Sequence, residues 1–407
     1  MSSRLARTAW IGLCCACSAP ALAQYEVEQD NPVWLQAVLD VRVANAGPGT
    51  SWTDGGPGKT RYGGRLTDSG FERDTHFDIA ELAIEAGASL PGGVRAKAQA
   101  NIQPDIAGSY EPWLIEANLR KEWGGAARGW GVQGGLMNVP FSLEHVGPAW
   151  SPDFALSASA LNAWMWEDTS LAGLEGEWWR TFKGGVKVDA LAGLSYGTDQ
   201  LGRLLALRGW AIGDALGGWN GDLQLPARTE RTQIFVERDN RPAAYAWVTL
   251  SDEQEVASLK VGYFNNNGDQ DVEGVWHTQF TTAGLTVHPV PSIDILVQYL
   301  KGTARVLAPP NDSSLRAFYA LVSHHSKRQR ITVRYDSFAV NDLDGGPVST
   351  HERGDGVTVA YLLQFGLRHR VGIEYTSLNS RRPASVLADP SPSGWQLSYR
   401  FTFRPLR

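Results

Sequence analysis

Apolar and polar positions alternate along most of the chain in segments of about ten residues. In residues 94–103 the order is Val94, Arg95, Ala96, Lys97, Ala98, Gln99, Ala100, Asn101, Ile102, Gln103, with every second side chain apolar. A strand sorts such a series onto two faces, whereas a helix scatters it around its axis. The same period runs through 33–43, where Val33, Leu35, Ala37, Leu39 and Val41 alternate with Gln36, Asp40 and Arg42. It recurs in 113–122, where Trp113, Ile115, Ala117 and Leu119 stand against Glu116, Asn118, Arg120 and Glu122, and again in 186–196. Segments 259–264, 293–299, 331–335, 357–363, 371–375 and 395–403 repeat it with aromatic ends, as strands meeting a membrane interface do.

The connectors alternate in length as well. Short turns are expected at 91–93, 124–129, 182–185, 251–255, 288–292, 324–329 and 365–369. Longer loops rich in Gly, Asp, Asn and Pro are expected at 45–74, 138–167, 265–274, 303–314, 340–355 and 377–394. A sandwich needs no such short-long order, whereas a membrane-spanning barrel has short turns on one side and long loops on the other. The pattern predicts an all-β fold, a transmembrane antiparallel β-barrel of about 16 strands, with 18 as the alternative. Residues 204–250 are the ambiguous stretch: 204–216, 224–238 and 243–250 read as two strands with a large loop, or as more. Near eight strands side chains fill a barrel, while 16 to 18 strands leave an aqueous channel.

Residues 1–23 read as a secretory signal, with Arg4 and Arg7 in a charged start, an apolar stretch at 9–19 and the small-x-small site Ala21-Leu22-Ala23. Residues 24–407 would then form a single barrel domain. Cys14, Cys15 and Cys17 all fall in the signal, so the remaining 384 residues hold no thiol, which excludes a disulfide framework or thiolate metal site. Lipidation of these cysteines is disfavoured by the residues around them. Losing Arg4 and Arg7 moves the net charge from -6 to -8, an acidic balance that argues against a nucleic-acid partner. Mean hydropathy is -0.24, as expected where half of each strand faces water.

The run Trp130-Gly131-Val132-Gln133-Gly134-Gly135-Leu136-Met137-Asn138-Val139-Pro140-Phe141-Ser142-Leu143-Glu144 resembles the phosphate-selective porins O and P, in which a strand passes through a similar turn into a loop folded inside the barrel. Ser142 replaces the family's glycine. The resemblance extends loosely over the alternating layout and the aromatic last strand, although the chain continues past Phe403 with Arg404-Pro405-Leu406-Arg407. It implies an outer-membrane diffusion channel, generally trimeric, with outer-membrane lipid and small hydrophilic solutes or ions as partners and a third loop, 138–167, folded inward. Phosphate selectivity is not carried over, because lumen acids at least match lumen bases.

On this reading Glu144, His145, Asp153 and Glu167 are candidates for the constriction. Alternation aims Arg42, Arg95, Lys97, Arg120, Lys187, Arg330, Arg334, Arg370 and Arg400 at the lumen, where rings of charge would tune ion preference. Asp40, Glu81, Glu85, Glu116, Glu122, Glu175, Asp189, Asp294, Asp336 and Glu374 hold comparable positions, so many of these groups would simply pair and stiffen the wall. No cofactor, metal or catalytic set is expected. Gly55-Gly56-Pro57-Gly58-Lys59-Thr60 lacks the first glycine of a phosphate loop, Thr53 standing there. His324-His325 reads as a solvated turn, and the oxygen-rich Asn265 to Asp271 stretch lacks the twelfth-position acid of a calcium loop. Trp164 and Trp166, near the exit of the third loop, are the candidates for a sugar-stacking track. The expected function is passive diffusion of small hydrophilic solutes through a mixed-charge lumen. The alternatives are a barrel-borne enzyme or a plugged, adhesin-like barrel.

Overall fold

The computed structural model describes residues 33–50, 58–104, 110–224, 231–307, 310–345, 349–382 and 391–403. The expected signal segment with its three cysteines and the tail beyond Phe403 lie outside the described residues. The barrel strands are β1 (Val33–Gly47), β2 (Asp74–Leu90), β3 (Val94–Pro104), β4 (Tyr110–Gly125), β5 (Arg128–Met137), β6 (Leu171–Thr181), β7 (Val186–Tyr196) and β8 (Ala243–Asp252). They continue as β9 (Ala257–Asn265), β10 (His277–Val290), β11 (Ile293–Leu307), β12 (Pro310–His325), β13 (Gln329–Asp342), β14 (Glu352–Phe365), β15 (His369–Arg381) and β16 (Ser393–Phe403). Each pairs antiparallel with its neighbours in chain order, and β1 pairs with both β2 and β16, so the sheet closes on itself. The barrel therefore has 16 strands, and the alternative of 18 is set aside.

Short turns join the strands at one end and mostly longer segments at the other, as the connector pattern predicts, the β11–β12 connection being the exception. The outer face is apolar, with Leu194, Val261, Val333, Val359 and Ile373 all exposed. Aromatic side chains mark both rims: Trp123, Trp130, Trp178 and Phe403 at the turn end, Tyr110, Tyr196, Tyr263 and Trp395 toward the loop end. Trp123 and Trp130 stack across β4 and β5 with ring centroids 3.9 Å apart. Such belts suit the boundary between lipid and water.

Three expectations are corrected. Ala80 in β2 and Ile115 in β4 are extra residues that shift the ladder, Gln99 pairing with Glu116 but Ala100 with Leu114. A one-residue shift turns every later side chain to the opposite face. Trp113 and Ile115, placed by simple alternation on the outer face, therefore pack inside against Trp166, Leu216 and Ile234. Second, the expected loop 303–314 is mostly strand, since the β11–β12 ladder continues up to Leu307 opposite Pro310. Third, the 204–250 stretch contributes one barrel strand, β8. Its earlier part belongs to a long loop 4 (197–242) with the short helix α2 (Arg203–Arg208) and a ribbon pairing Asp222–Gln224 with Arg231–Gln233.

Loop 3 (138–170) carries helix α1 (Ala160–Asp168), every residue of which is buried. Residues 197–218 of loop 4 and 58–64 of loop 1 are largely buried with it. Val139, Phe141, Leu161, Trp164, Leu205 and Trp210 from these loops share an apolar core with wall residues such as Tyr245, Phe264, Phe280, Leu300 and Phe338. The wall makes room for its inward aromatics by placing glycine directly opposite them: Gly87 across from Trp34, Gly193 from Tyr245, Gly262 from Trp247 and Gly354 from Phe338. A Cβ at Gly87 would lie 2.3 Å from the Trp34 indole, so that ring lies flat on the barrel wall.

Val261 sits at the middle of the outer face of β9. Replacing it with Arg is expected to cost about 2–4 kcal/mol of stability in a bilayer, the penalty for a cation at mid-membrane on a barrel exterior. Urea titration of the barrel refolded into phosphatidylcholine vesicles measures this, and a cost below about 1 kcal/mol would remove β9 from lipid contact.

Candidate functional site

The inner wall and the loops meet through buried ion pairs. Arg334 on β13 is fully buried and makes charge-assisted bonds to Asp336 (2.9 Å) on its own strand and Glu144 (3.0 Å) in loop 3. It also donates to the carbonyls of Ser157 (2.7 Å) and Ala158 (3.0 Å) and to Thr358 (3.2 Å). The two carboxylates it neutralises hold the start of α1. Glu144 accepts from Ser159 N and Asn162 Nδ2, and Asp336 from Ala160 N, so the helix's free N–H groups face negative charge. Glu374 on β15 accepts from the backbone of Leu156 and Ser157 and from the Ser157 hydroxyl.

A second network closes the β1–β16 seam. Asp40 accepts from Arg42 (3.0 Å) and Arg400 (2.7 Å), and Arg42 also reaches Asp214 of loop 4 (2.7 Å). Arg61 of loop 1 meets the other oxygen of Asp214 (3.1 Å). Burial opposes ionisation of Asp214, but Arg42 and Arg61 outweigh it and hold that carboxyl below its ordinary range. Nearer the loop end Glu352 gathers Lys59, Arg382 and the Trp210 N–H, and Arg208 pairs with Glu167 (2.6 Å). Lys59 and Thr60, the end of the phosphate-loop-like stretch, thus belong to a structural strap. Asp168 accepts from Trp164 Nε1 and Gly202 N, both at 3.0 Å, yet burial pushes its carboxyl up to about 7.

Beside this packed region lies a cavity of about 260 Å³ on the β1–β5 side. Arg95, Lys97, Arg120, Glu116, Asn118 and Gln133 line it from the wall, Trp34 from β1, and His145 and Trp150 from loop 3. Lys97 bonds Glu85 (3.0 Å) and Glu116 (3.1 Å), Arg95 bonds Glu122 (2.7 Å), and Arg120 bonds Glu122 and Glu177. Ala149 and Trp150 both have left-handed backbone, φ 53° and 60°, which costs a non-glycine residue about 1–3 kcal/mol. Gln99 holds the carbonyl of Ala149 (3.0 Å) and Arg400 the hydroxyl of Ser151 (2.6 Å), so the strained pair is clamped with Trp150 at the cavity. His145 bonds Ser142 (2.9 Å), and burial depresses it to about 3, leaving the ring neutral. A second cavity of about 180 Å³ at the turn end is lined by Asp153, His325, Lys327, Arg328, Arg330 and Arg370.

The structure thus divides the candidate residues into groups. Arg42, Arg334 and Arg400 are buried anchors for loops 3 and 4. Arg95, Lys97 and Arg120 line the larger cavity; Arg330 and Arg370 flank the smaller one with Asp153, at 3.5 and 3.7 Å. Lys187 pairs with Asp189 (3.4 Å) near the turn end, partly exposed. Of the loop 3 candidates, Glu144 and Glu167 face arginines in the packed interior, whereas His145 lines the larger cavity. Trp164 is wholly buried and Trp166 nearly so, which removes both as a stacking track; Trp34 and Trp150 hold the cavity positions instead. Trp34 was legible as an inward residue from the even-numbered parity of Gln36, Asp40 and Arg42, but Trp150 and the loop 4 partner Asp214 carry no periodic signal.

No family model matches the chain, and no curated protein does. Among solved structures, the anion-selective porin from Comamonas acidovorans aligns with a TM-score of 0.53 at 12% identity, over 91% of this chain and 99% of its own. OmpT of the Vibrio cholerae outer membrane aligns at 0.51 with 8% identity, over 92% and 99%. The outer-membrane channel DcaP of Acinetobacter baumannii aligns at 0.50 with 9% identity, over 91% and 97%. At these identities the likeness is one of fold: the chain has the barrel architecture of outer-membrane channels, and the narrower resemblance to porins O and P has no matching family model behind it.

Replacing Arg334 with Met leaves Glu144 and Asp336 buried without their cation, with an expected loss of about 3–5 kcal/mol in urea unfolding. A loss under 1 kcal/mol would show that loop 3 does not depend on this hub. Asp168 is harder to ionise in the folded chain than at its ordinary value of 3.8, so its protonated form favours folding below about pH 4. That stabilisation fades as pH rises through about 7. Hydrogen exchange across α1 should therefore quicken, after correction for intrinsic rates, between pH 5 and pH 8, and Asp168→Asn should remove the change. An unaltered pH response in that variant would assign the effect elsewhere.

Proposed function

We propose that this protein is an outer-membrane diffusion channel for small hydrophilic solutes. In this reading residues 1–23 are cleaved as a signal peptide, 24–407 form the single barrel, and three copies assemble. The observation that carries it is a closed 16-stranded barrel, wide enough for an aqueous bore, that keeps a polar cavity beside an inward-folded loop 3. The chemistry is passage down a gradient, with the wall supplying hydrogen bonds rather than a reaction.

One of the similar structures is described as an anion-selective porin. Here each cation of the larger cavity stands against at least one carboxylate, which supports weak ionic selectivity and a bore that discriminates chiefly by size and hydrogen bonding. The apolar core built by loops 3 and 4 favours a second reading, a barrel closed at rest.

Single-channel recording in a planar bilayer with a salt gradient tests both. Stepwise conductance with a small reversal potential is expected; a silent, fully folded barrel would favour the closed reading. Lys97→Glu would place three carboxylates together with Glu85 and Glu116 and should move the reversal potential toward cation preference. An unmoved potential would take the larger cavity off the ion path.

A further inference from the structure

We propose that the outer wall of the barrel carries, at the loop end of β11 to β15, a binding site for the phosphate groups of an outer-leaflet glycolipid. The site lies on the face turned away from the bore. It rests on the outer-membrane reading and stands whether or not the barrel conducts.

The sheet register sets four cations in one row. Lys301 on β11 stands directly opposite Arg316 on β12, Arg316 opposite Ala339 on β13, Ala339 opposite Arg353 on β14, and Arg353 opposite Arg381 on β15. All four cations are exposed, and alternation puts each on the same face as the exposed Tyr299, Val322, Val357 or Tyr375 of its own strand. Lys301 with Arg316, and Arg353 with Arg381, are thus like charges directly across a ladder, an arrangement that destabilises a sheet. None of the four makes an ion pair or side-chain hydrogen bond among the described residues. Beside the row, Asp312 is engaged by Arg305 (2.9 Å) and Asp355 accepts from Asn379 (3.4 Å), so positive charge stays in excess. An anion from outside the chain is what would relieve it.

Height on the wall decides which anion. Tyr299, Tyr335, Val357 and Tyr375 are exposed on the same face, nearer the turn end, so the row stands immediately above the apolar band. That is headgroup level, where basic side chains attract anionic lipid. Free phosphate engages the cations alone, whereas a lipid also sets its acyl chains on the band below. Guanidinium forks match phosphate oxygens in pairs. Neighbouring strands lie about 4.8 Å apart, so the two like-charged pairs are centred about 14 Å apart. This spacing suits a sugar backbone phosphorylated at both ends.

The test is native mass spectrometry of the full-length barrel in detergent with diphosphoryl lipid A, the same lipid stripped of phosphate, or phosphatidylglycerol. Diphosphoryl lipid A should stay bound, the other two should bind at least about tenfold more weakly, and an equal concentration of inorganic phosphate should not displace it. Arg316→Gln combined with Arg353→Gln takes one cation from each pair and should weaken binding about thirtyfold. Arg316→Lys combined with Arg353→Lys should keep most of it, and Lys183→Gln in the β6–β7 turn should change nothing. Because the Gln substitutions relieve like-charge contacts, thermal unfolding of the lipid-free variant should come no earlier than that of the parent. Undiminished binding by the double Gln variant, or equally tight binding of the phosphate-free lipid, would overturn the site. Phosphatidylglycerol binding as tightly would overturn the glycolipid assignment, and displacement by inorganic phosphate would give the row to the free anion. Loss of oligomers in the Gln variant with lipid binding intact would make the row a contact between copies and overturn the proposal too.

Discussion

A guanidinium group sealed inside a protein is tolerable only when its charge and its N–H fork are answered by groups already in place, and Arg334 is the position where this barrel meets that demand. Its ligands come from its own strand, from β14 and from two separate parts of loop 3. Each of those carboxylates in turn holds backbone N–H groups of the loop. The result is a closed set of bonds in which no member can be withdrawn cheaply, because in a low dielectric the partner left behind carries the cost. Loop 3 is thereby a fixed part of the interior, and the place of His145 and Trp150 at the larger cavity follows from it.

Fixing loop 3 also makes the bore one-sided. From β8 to β12 and at the loop end of β13 the inner wall is faced mainly with aromatic and aliphatic side chains and is covered by loops 3 and 4. From β2 to β5 it is faced with charges and amides, and the space survives there. In the channel reading proposed above, a solute would slide along one polar wall past Trp34 and Trp150, with the opposite side acting as a rigid filler. Since the charges on that wall are satisfied by each other, the field across the cavity is weaker than the number of ionisable residues suggests.

The strand pattern was legible wherever the inner face meets water. Residues 94–103 alternate cleanly because Arg95 and Lys97 line the cavity, Gln99 and Asn101 bond polar groups inside the barrel, and the residues between them face outward. Where loops pack against the wall, inward positions become apolar too, as with Leu296 and Leu300 on β11 or Phe264 and Phe280 on β9 and β10, and the two faces cease to differ in polarity. The same effect hid loop 4. Its residues 204–216 are core residues without being barrel strand, and an apolar run alone does not tell the two apart. The bulges at Ala80 and Ile115 were silent because inserting one residue changes phase without changing composition. Of the candidate residues, the lumen arginines could be found from parity, while their division into anchors and cavity lining depends on loop carboxylates brought together across hundreds of positions.

That separation bears on the order in which the chain becomes a barrel. Asp40 lies 360 residues from Arg400, Leu156 lies 218 from Glu374, and Glu144 lies 190 from Arg334. Loop 3 lies in the half of the chain made first, while Arg334 and Glu374, which hold it, lie in the half made last. Until β13 to β16 arrive, the carboxylates and guanidinium groups of the early strands remain hydrated, which opposes collapse of the loops onto themselves. Loop-closure entropy is spent before these contacts return anything, so assembly is slow and concentrates its reward in the final strands. Closure of the β1–β16 seam is then the event that brings Arg400 to Asp40 and completes the barrel.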